Sequence, residues 1–572
     1  MVLVALNWIY ILVTVFLCGF AFAMLVEKVF GYAIQNAVEI LFFGLIVVTV
    51  YAQLFSLFMG VGAVANLVLV GACMLIFAVW RKKIAVLLYD KIQNRSLLYK
   101  ITIIILIVIW CYCTSRGYMH YDSDLYHGQS IRWIEEYGVV KGLGNIHVRF
   151  AYNSSFFALS ALYSMKFLTG QSLHTMNGFI ALLLSVEVFA VFDKRRITQK
   201  NAVRLSDFAR LGALYYLTLI YRDIVSPASD YCVMCVVFYL VIRWLTAIEE
   251  GEKNVAPYAL LCVMGVYGIT LKLTAGVILL LLVKPAYMLL KEKRYREIIS
   301  YILLGVVVIA PWMIRTAFIS GYLLYPFPEL DILNVDWKID AAAAALDAAE
   351  IKTWGRGLNN AALVDLPVSE WFPQWFQNTL PTLGKLFVLA DVMCIVFLAI
   401  FVIMFFVGRK RKKAASDMAG ELLALSAVEA SYLFWQLSAP LLRYGYAYVL
   451  LLIALTAGLL YRRIQGKGSL LWCAAIILAV AKTVSFAGYV VNTAEKPYYV
   501  NQQDYGTYDL ERFTVKGTAF YYPKSGDRTG YESFPAVPVK TEIAFRGETL
   551  RDGFMYVEKE TSAKSEKTLL KY

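Results

Sequence analysis

Apolar runs about twenty residues long follow one another along most of the chain, each closed by a short polar or charged stretch. A run of that length crosses the hydrocarbon of a bilayer as a helix. The pattern predicts fourteen spans, near 3–26, 36–58, 60–80, 98–115, 172–192, 207–224, 230–248, 256–271, 273–290, 297–319, 385–407, 418–439, 443–461 and 469–490. Short basic clusters separate them: "RKK" at 81–83, "DKRR" at 193–196, "KEKRYR" at 291–296, "GRKRKK" at 408–413 and "YRR" at 461–463. The bias of Lys and Arg toward the cytoplasmic side sets these clusters inside. Three pieces are then left outside, the loops 116–171 and 320–384 and the tail 491–572, and the even number of spans sends both termini to that outer side. The first run lacks a basic leader and a small-residue cleavage site, so it reads as a retained span.

The outer pieces carry their own patterns. Tyr126, Trp133 and Tyr137 recur at i, i+7 and i+11, an aromatic stripe suited to lying in the membrane interface. The apolar stretch 153–168 is short for a span and is expected to lie flat or dip in. In the second loop "AAAAALDAAE" is a strong helix former among Trp337, Trp354, Trp371 and Trp375. The tail places the turn-rich "YPKSGDRTGYESFP" beside β-prone runs such as "FTVKGTAFYY", which predicts a small β-rich domain. The expected organisation is an all-α polytopic membrane domain over 1–490 and an extracytoplasmic domain over 491–572.

Composition excludes a soluble chain: 60% of the 572 residues are hydrophobic and only 17% charged. The net charge of +13 would suit nucleic acid in a soluble protein, but here the basic residues serve as membrane anchors, and no nucleic-acid partner is expected. All nine cysteines fall in apolar stretches, Cys232 and Cys235 among them, and predict neither a disulfide framework nor a zinc site.

Against this background "HYDSDLYHGQSIRWIEE", 120–136, stands out, because carboxylates at the mouth of a span are expensive and mark functional sites. Asp122 or Ser123 caps a helix, which explains one aspartate but not the set of Asp122, Asp124, His127 and His120. Two acids and an imidazole together serve as a general base on a hydroxyl or as oxygen and nitrogen ligands of a divalent cation, Mg or Mn. A second set is cationic. Arg222, Lys272, Arg315 and Arg443 all fall at the outer ends of spans, against the positive-inside bias. Asp223 or Asp230 can neutralise one of them, and a single arginine can snorkel to the headgroups. Four together call for an anion at membrane depth, which a phosphate carried by a lipid supplies, and arginine offers it a bidentate fork. Polyprenyl phosphate is the expected carrier, and transfer of its sugar to a hydroxyl is the reaction that uses both a phosphate clamp and an acidic base.

With these residues the chain resembles the GT-C superfamily of integral-membrane glycosyltransferases, carried by "YDSDLYH" at 121–127 in the first outer loop. It looks still more like a bacterial multi-pass family with "DSDLYHGQ", "YNSSFF", "SPASD", "PWMIRTAFISGYLLYPFP", "APLLRYG" and "FRGETLRDGF" in the same order. The resemblance implies a GT-C-like fold in the bacterial inner membrane and an inverting transfer on the extracytoplasmic face. It also implies Asp122 or Asp124 as base and a polyprenyl-phosphate-linked sugar as donor, with a glycan, lipid or protein as acceptor. Tyr325, inside the fourth motif, joins the expected substrate-binding set. The Asp-Ser-Asp order departs from the Asp-Glu pair of the protein O-mannosyltransferases, members of that superfamily, and leaves both the base and the need for a metal open. A transporter or flippase of lipid-linked saccharide is the alternative; it predicts broken helices and repeated halves, and Lys272 is its best residue. A polymerase or ligase using a lipid diphosphate is a close variant of the first reading.

Overall fold

The computed structural model describes residues 1–93, 95–189, 204–408, 415–463 and 468–557. All fourteen predicted runs fall on helices, and among the described residues ten helices are long and apolar enough to cross a membrane. The other four are short, at Met176–Phe189, Leu205–Ile220 and Val255–Leu271, or interrupted by acids, at Ala415–Ser438 with Glu421 and Glu429. The cluster at 193–196, and all but the first residue of that at 408–413, lie outside the described residues. The protein is an all-α, multi-pass membrane protein.

Helix Ser229–Glu249 forms the centre of the bundle, with 94% of its apolar window buried by neighbours. Peripheral helices do the reverse and expose Leu67, Leu75, Ile395 and Ile477. Water would not tolerate so large an apolar surface, whereas lipid tails solvate it. Helix ends follow local chemistry: Asn36, Ser154 and Asp340 accept bonds from the free N–H groups of the helices they open, and Gly321 closes Tyr295–Ser320 in the left-handed region. At one end of the bundle buried acids are paired with arginines, Glu187 with Arg210 at 3.0 Å and Glu39 with Arg243 at 3.4 Å.

The other end gathers the 116–171 loop, the 320–367 segment, the 439–445 turn and the tail. The first helix starts beside the tail, where Leu3 N–H donates to Val500 O at 3.0 Å. The tail does contain strands: β1 (Leu510–Val515) pairs antiparallel with β2 (Thr518–Pro523), and β3 (Ala544–Phe545) with β4 (Phe554–Met555). Lys516 and Gly517, both at positive φ, make the two-residue turn between β1 and β2. The strands share one apolar core with the loops, in which Phe520, Phe545 and Phe554 pack with Trp133, Tyr322 and Ile339.

That shared core corrects one expectation. Trp133 is wholly buried, against Phe534 and Phe554 rather than in a lipid interface. The amphipathic face was real, but protein covers it. Of the two alternatives for 153–168, burial favours dipping in, since every residue of helix Ser155–Tyr163 is buried inside the bundle.

Candidate functional site

Helix Leu97–Ser115 ends at the extended Arg116, and the following strand of chain is pinned by its backbone. Tyr118 N–H donates to Arg222 O at 2.7 Å, and His120 N–H donates to Ser226 Oγ at 2.6 Å. A π-helical turn, Ser123–His127, comes next, with Asp122 just ahead of it. Asp122 makes no side-chain capping bond, so its carboxylate is left for other partners.

Those partners form a chain of opposite charges. Arg443 Nη2 donates to Asp122 Oδ2 at 2.6 Å, and Arg149 Nη1 lies 3.9 Å from Oδ1. Arg443 Nε stands 3.4 Å from Asp230 Oδ2 as an ion pair, Lys272 pairs with the other oxygen of Asp230, and His120 contacts Arg443 Nη1. Asp230 opens helix Ser229–Glu249, where the macrodipole favours a carboxylate. Lys272 sits where helix Val255–Leu271 breaks into an extended residue before the 3-10 helix Leu273–Leu282. Arg443 lies in the short turn Leu442–Tyr444, which packs closely under Trp435 because Gly445 has no Cβ; one there would come within 2.5 Å of the indole.

Burial opposes the charge on Asp122, yet Arg443, ahead of the two histidines, more than offsets it and holds the carboxyl below its usual range. Burial, then Arg443, pushes the His120 imidazole down, so it is neutral at pH 7. Arg149, Arg443 and Lys272 thus gather around the carboxylates of Asp122 and Asp230.

A cavity of about 260 Å³ opens onto this set. Asp122, Tyr126, Arg149, Arg443 and Tyr444 line one side. The opposite wall is one face of helix Ala341–Gly355, where Asp347, Glu350, Ile351, Trp354 and Gly355 recur at helical spacing. Tyr152 and Tyr325 donate their hydroxyls to Asp347 at 2.7 and 3.1 Å, and the Arg149 guanidinium lies 4.7 Å from the centre of the Trp354 ring. Burial raises the Asp347 carboxyl, and burial followed by Asp347 raises that of Glu350.

The structure thus brings together Asp122, Lys272 and Arg443 of the predicted residues, and puts Tyr325 behind the wall through Asp347. Others lie elsewhere. Asp124 turns the opposite way, accepting Gly506 N–H at 2.9 Å and Tyr508 O–H at 2.8 Å. A Cβ at Gly506 would come within 2.8 Å of that carboxylate, so the contact needs glycine. His127 is buried against Tyr126 and Phe157, and burial pushes it down to about 3. Arg222 is exposed and donates to Tyr221 Oη at 3.0 Å. Arg315 is buried inside its helix, bonded to Ser56 and, at 3.0 Å, to Asn153 Oδ1. Asp122, Asp124 and His127 do not form a ligand set, and among the described residues no group of three or more His, Cys, Asp or Glu does. Two guanidiniums on Asp122 oppose a divalent cation there.

Asp230, of the two aspartates expected to neutralise a cation, is the one that does so, and Arg149, Glu350 and Trp354 complete the site without having been in the predicted set. The signals existed: Arg149 is one more cation in the first long loop, and Asp347, Glu350 and Trp354 repeat at i, i+3 and i+7.

Fold and site together define a multi-pass membrane protein with a polarised, charge-lined cavity at one end of its bundle. The chain belongs to the family described as Domain of unknown function (DUF8201), whose family model matches residues 1–450. No curated protein and no solved structure matches it. Every residue lining the cavity lies within the matched segment, and β1 to β4 lie beyond it.

Proposed function

We propose that the protein is a GT-C-like glycosyltransferase that moves a sugar from a polyprenyl-phosphate donor to a hydroxyl acceptor, with inversion, at the extracytoplasmic face of a bacterial inner membrane. The observation that carries this reading is the Asp122–Arg443 pair, held in one cavity whose same side also carries the guanidinium of Arg149. Two guanidiniums on one side of a cavity offer a phosphate a clamp. The donor phosphate would take the guanidinium of Arg443, with Arg149 and Lys272 close by. Asp122, relieved of its arginine, becomes more basic. It accepts the proton of the acceptor hydroxyl as that oxygen bonds to the anomeric carbon. The bond from carbon to phosphate oxygen breaks, its electron pair leaves with polyprenyl phosphate, and the cations stabilise that growing charge. One displacement inverts the anomeric centre. No metal step is needed for this sequence.

Incubation of the purified protein with a panel of radiolabelled polyprenyl-phosphate sugars and candidate acceptors tests the reading. Label should leave the lipid fraction for one sugar, and retention of label across the whole panel would sink it. A second reading, a flippase of lipid-linked saccharide, is favoured by the helix break at Lys272, because transporters build sites at interrupted helices. Movement of a fluorescent lipid-linked sugar across reconstituted vesicles, without loss of sugar, would select it.

A further inference from the structure

The wall of the cavity opposite Arg443 has chemistry that phosphate does not use. The Glu350 carboxylate lines it without a side-chain hydrogen bond or salt bridge among the described residues, with Arg149 as its nearest attracting charge. Four residues on, the Trp354 indole remains 48% exposed, with the Arg149 guanidinium stacked near it. A carboxylate accepts hydrogen bonds from vicinal hydroxyls, and an indole offers an apolar face to the C–H groups of a sugar ring. Asp347 beside them has both oxygens engaged by Tyr152 and Tyr325, which holds this face of the helix in place. The volume, about 260 Å³, falls just under the roughly 300 to 1,000 Å³ of sites for drug-sized ligands. It suits a single ring rather than an oligosaccharide.

We infer that Glu350 and Trp354 form the subsite for one monosaccharide ring of the ligand, with the phosphate at the Arg443 end. This rests on the glycosyltransferase reading and names where that donor's sugar is recognised. The cavity runs in the same sense as a sugar phosphate: Arg443 at one end, Glu350 and the Trp354 indole at the other, and Arg149 between them.

Binding of two probes to the full chain in lipid nanodiscs tests it: polyprenyl phosphate alone, and a panel of polyprenyl-phosphate hexoses. Wild type should bind the preferred hexose lipid more tightly than the sugar-free lipid. Glu350→Gln and Trp354→Leu should each weaken the hexose lipid roughly ten- to a hundredfold and leave the sugar-free lipid unchanged. The sugar-free lipid also reports that the variants fold. Equal affinity for the hexose lipid in wild type and both variants overturns the subsite while leaving the donor reading intact. A parallel loss of both probes in the milder variants Glu350→Asp and Trp354→Phe overturns it as well. Failure of wild type to bind either probe removes the donor reading and this inference with it.

Discussion

Asp122 and Asp124, separated by one serine, serve opposite partners: the first accepts Arg443 Nη2 at 2.6 Å, and the second accepts Gly506 N–H at 2.9 Å and Tyr508 O–H at 2.8 Å. One carboxylate faces the cavity and the other ties the tail to the first long loop.

The two aspartates should therefore respond differently to loss of charge. Asp122→Asn is expected to lower sugar transfer by at least about a hundredfold, the lower range for a lost general base, with little change in abundance. Asp124→Asn should keep measurable transfer but lower the thermal midpoint, since hydrogen bonds to a charged acceptor each contribute about 1.5–3 kcal/mol. Parallel transfer assays and detergent melts separate them, and an inactive but fully stable Asp124→Asn would reverse the assignment.

Arginines predicted together should also part ways. Arg443→Ala removes the cation that contacts Asp122, Asp230 and His120, so the donor concentration for half-maximal rate should rise by tenfold or more. Arg222→Ala, at an exposed position bonded to Tyr221, should change it by less than about twofold. Donor titrations in membranes check both. A normal donor response in Arg443→Ala would reduce that residue to a structural role.

Chelation addresses the cation question. With Asp124 turned away and Asp122 flanked by two guanidiniums, EDTA is expected to leave transfer undiminished. Loss of activity that Mg or Mn restores would show a ligand set built from other groups.

Acid should destabilise the loop end through its histidines. Burial moves His127 and His147 from 6.5 down to about 3, so the folded protein refuses protons that the unfolded chain takes up. Their contribution is complete above about pH 6.5 and falls as the pH drops toward the folded values, by up to about 1.4 kcal/mol per pH unit for each ring. His127→Phe should flatten the pH dependence of the melting temperature between pH 6.5 and 5. An unaltered slope would mean that His127 is already protonated in the fold.

Much of this was legible in the sequence because membrane spans are written in one-dimensional hydropathy. Asp122 and Arg443 stood out for a related reason, since charge is costly where apolar runs end. What hydropathy does not encode is which surface covers an amphipathic face. Trp133 had the period of an interfacial residue, yet β4 and Phe534 bury it. Nor does it encode direction around a wide turn, so Asp122 and Asp124 read as a pair. Arg315 looked like another outward cation, but helix Tyr295–Ser320 rotates it inward to Asn153 and Ser56. The far wall of the cavity was hidden in an alanine-rich stretch that read only as a good helix.

The π turn at Ser123–His127 makes residue number itself a determinant of the site. Such a turn holds one residue more than an α-turn, so removing any one of the five would rewind it and swing everything downstream by about 100°. Gln129, Arg132 and Trp133 would leave the tail, or Asp122 would leave its arginine. A substitution along 123–127 costs only the contacts of that side chain, whereas a gained or lost position shifts the phase between the bundle and its cover.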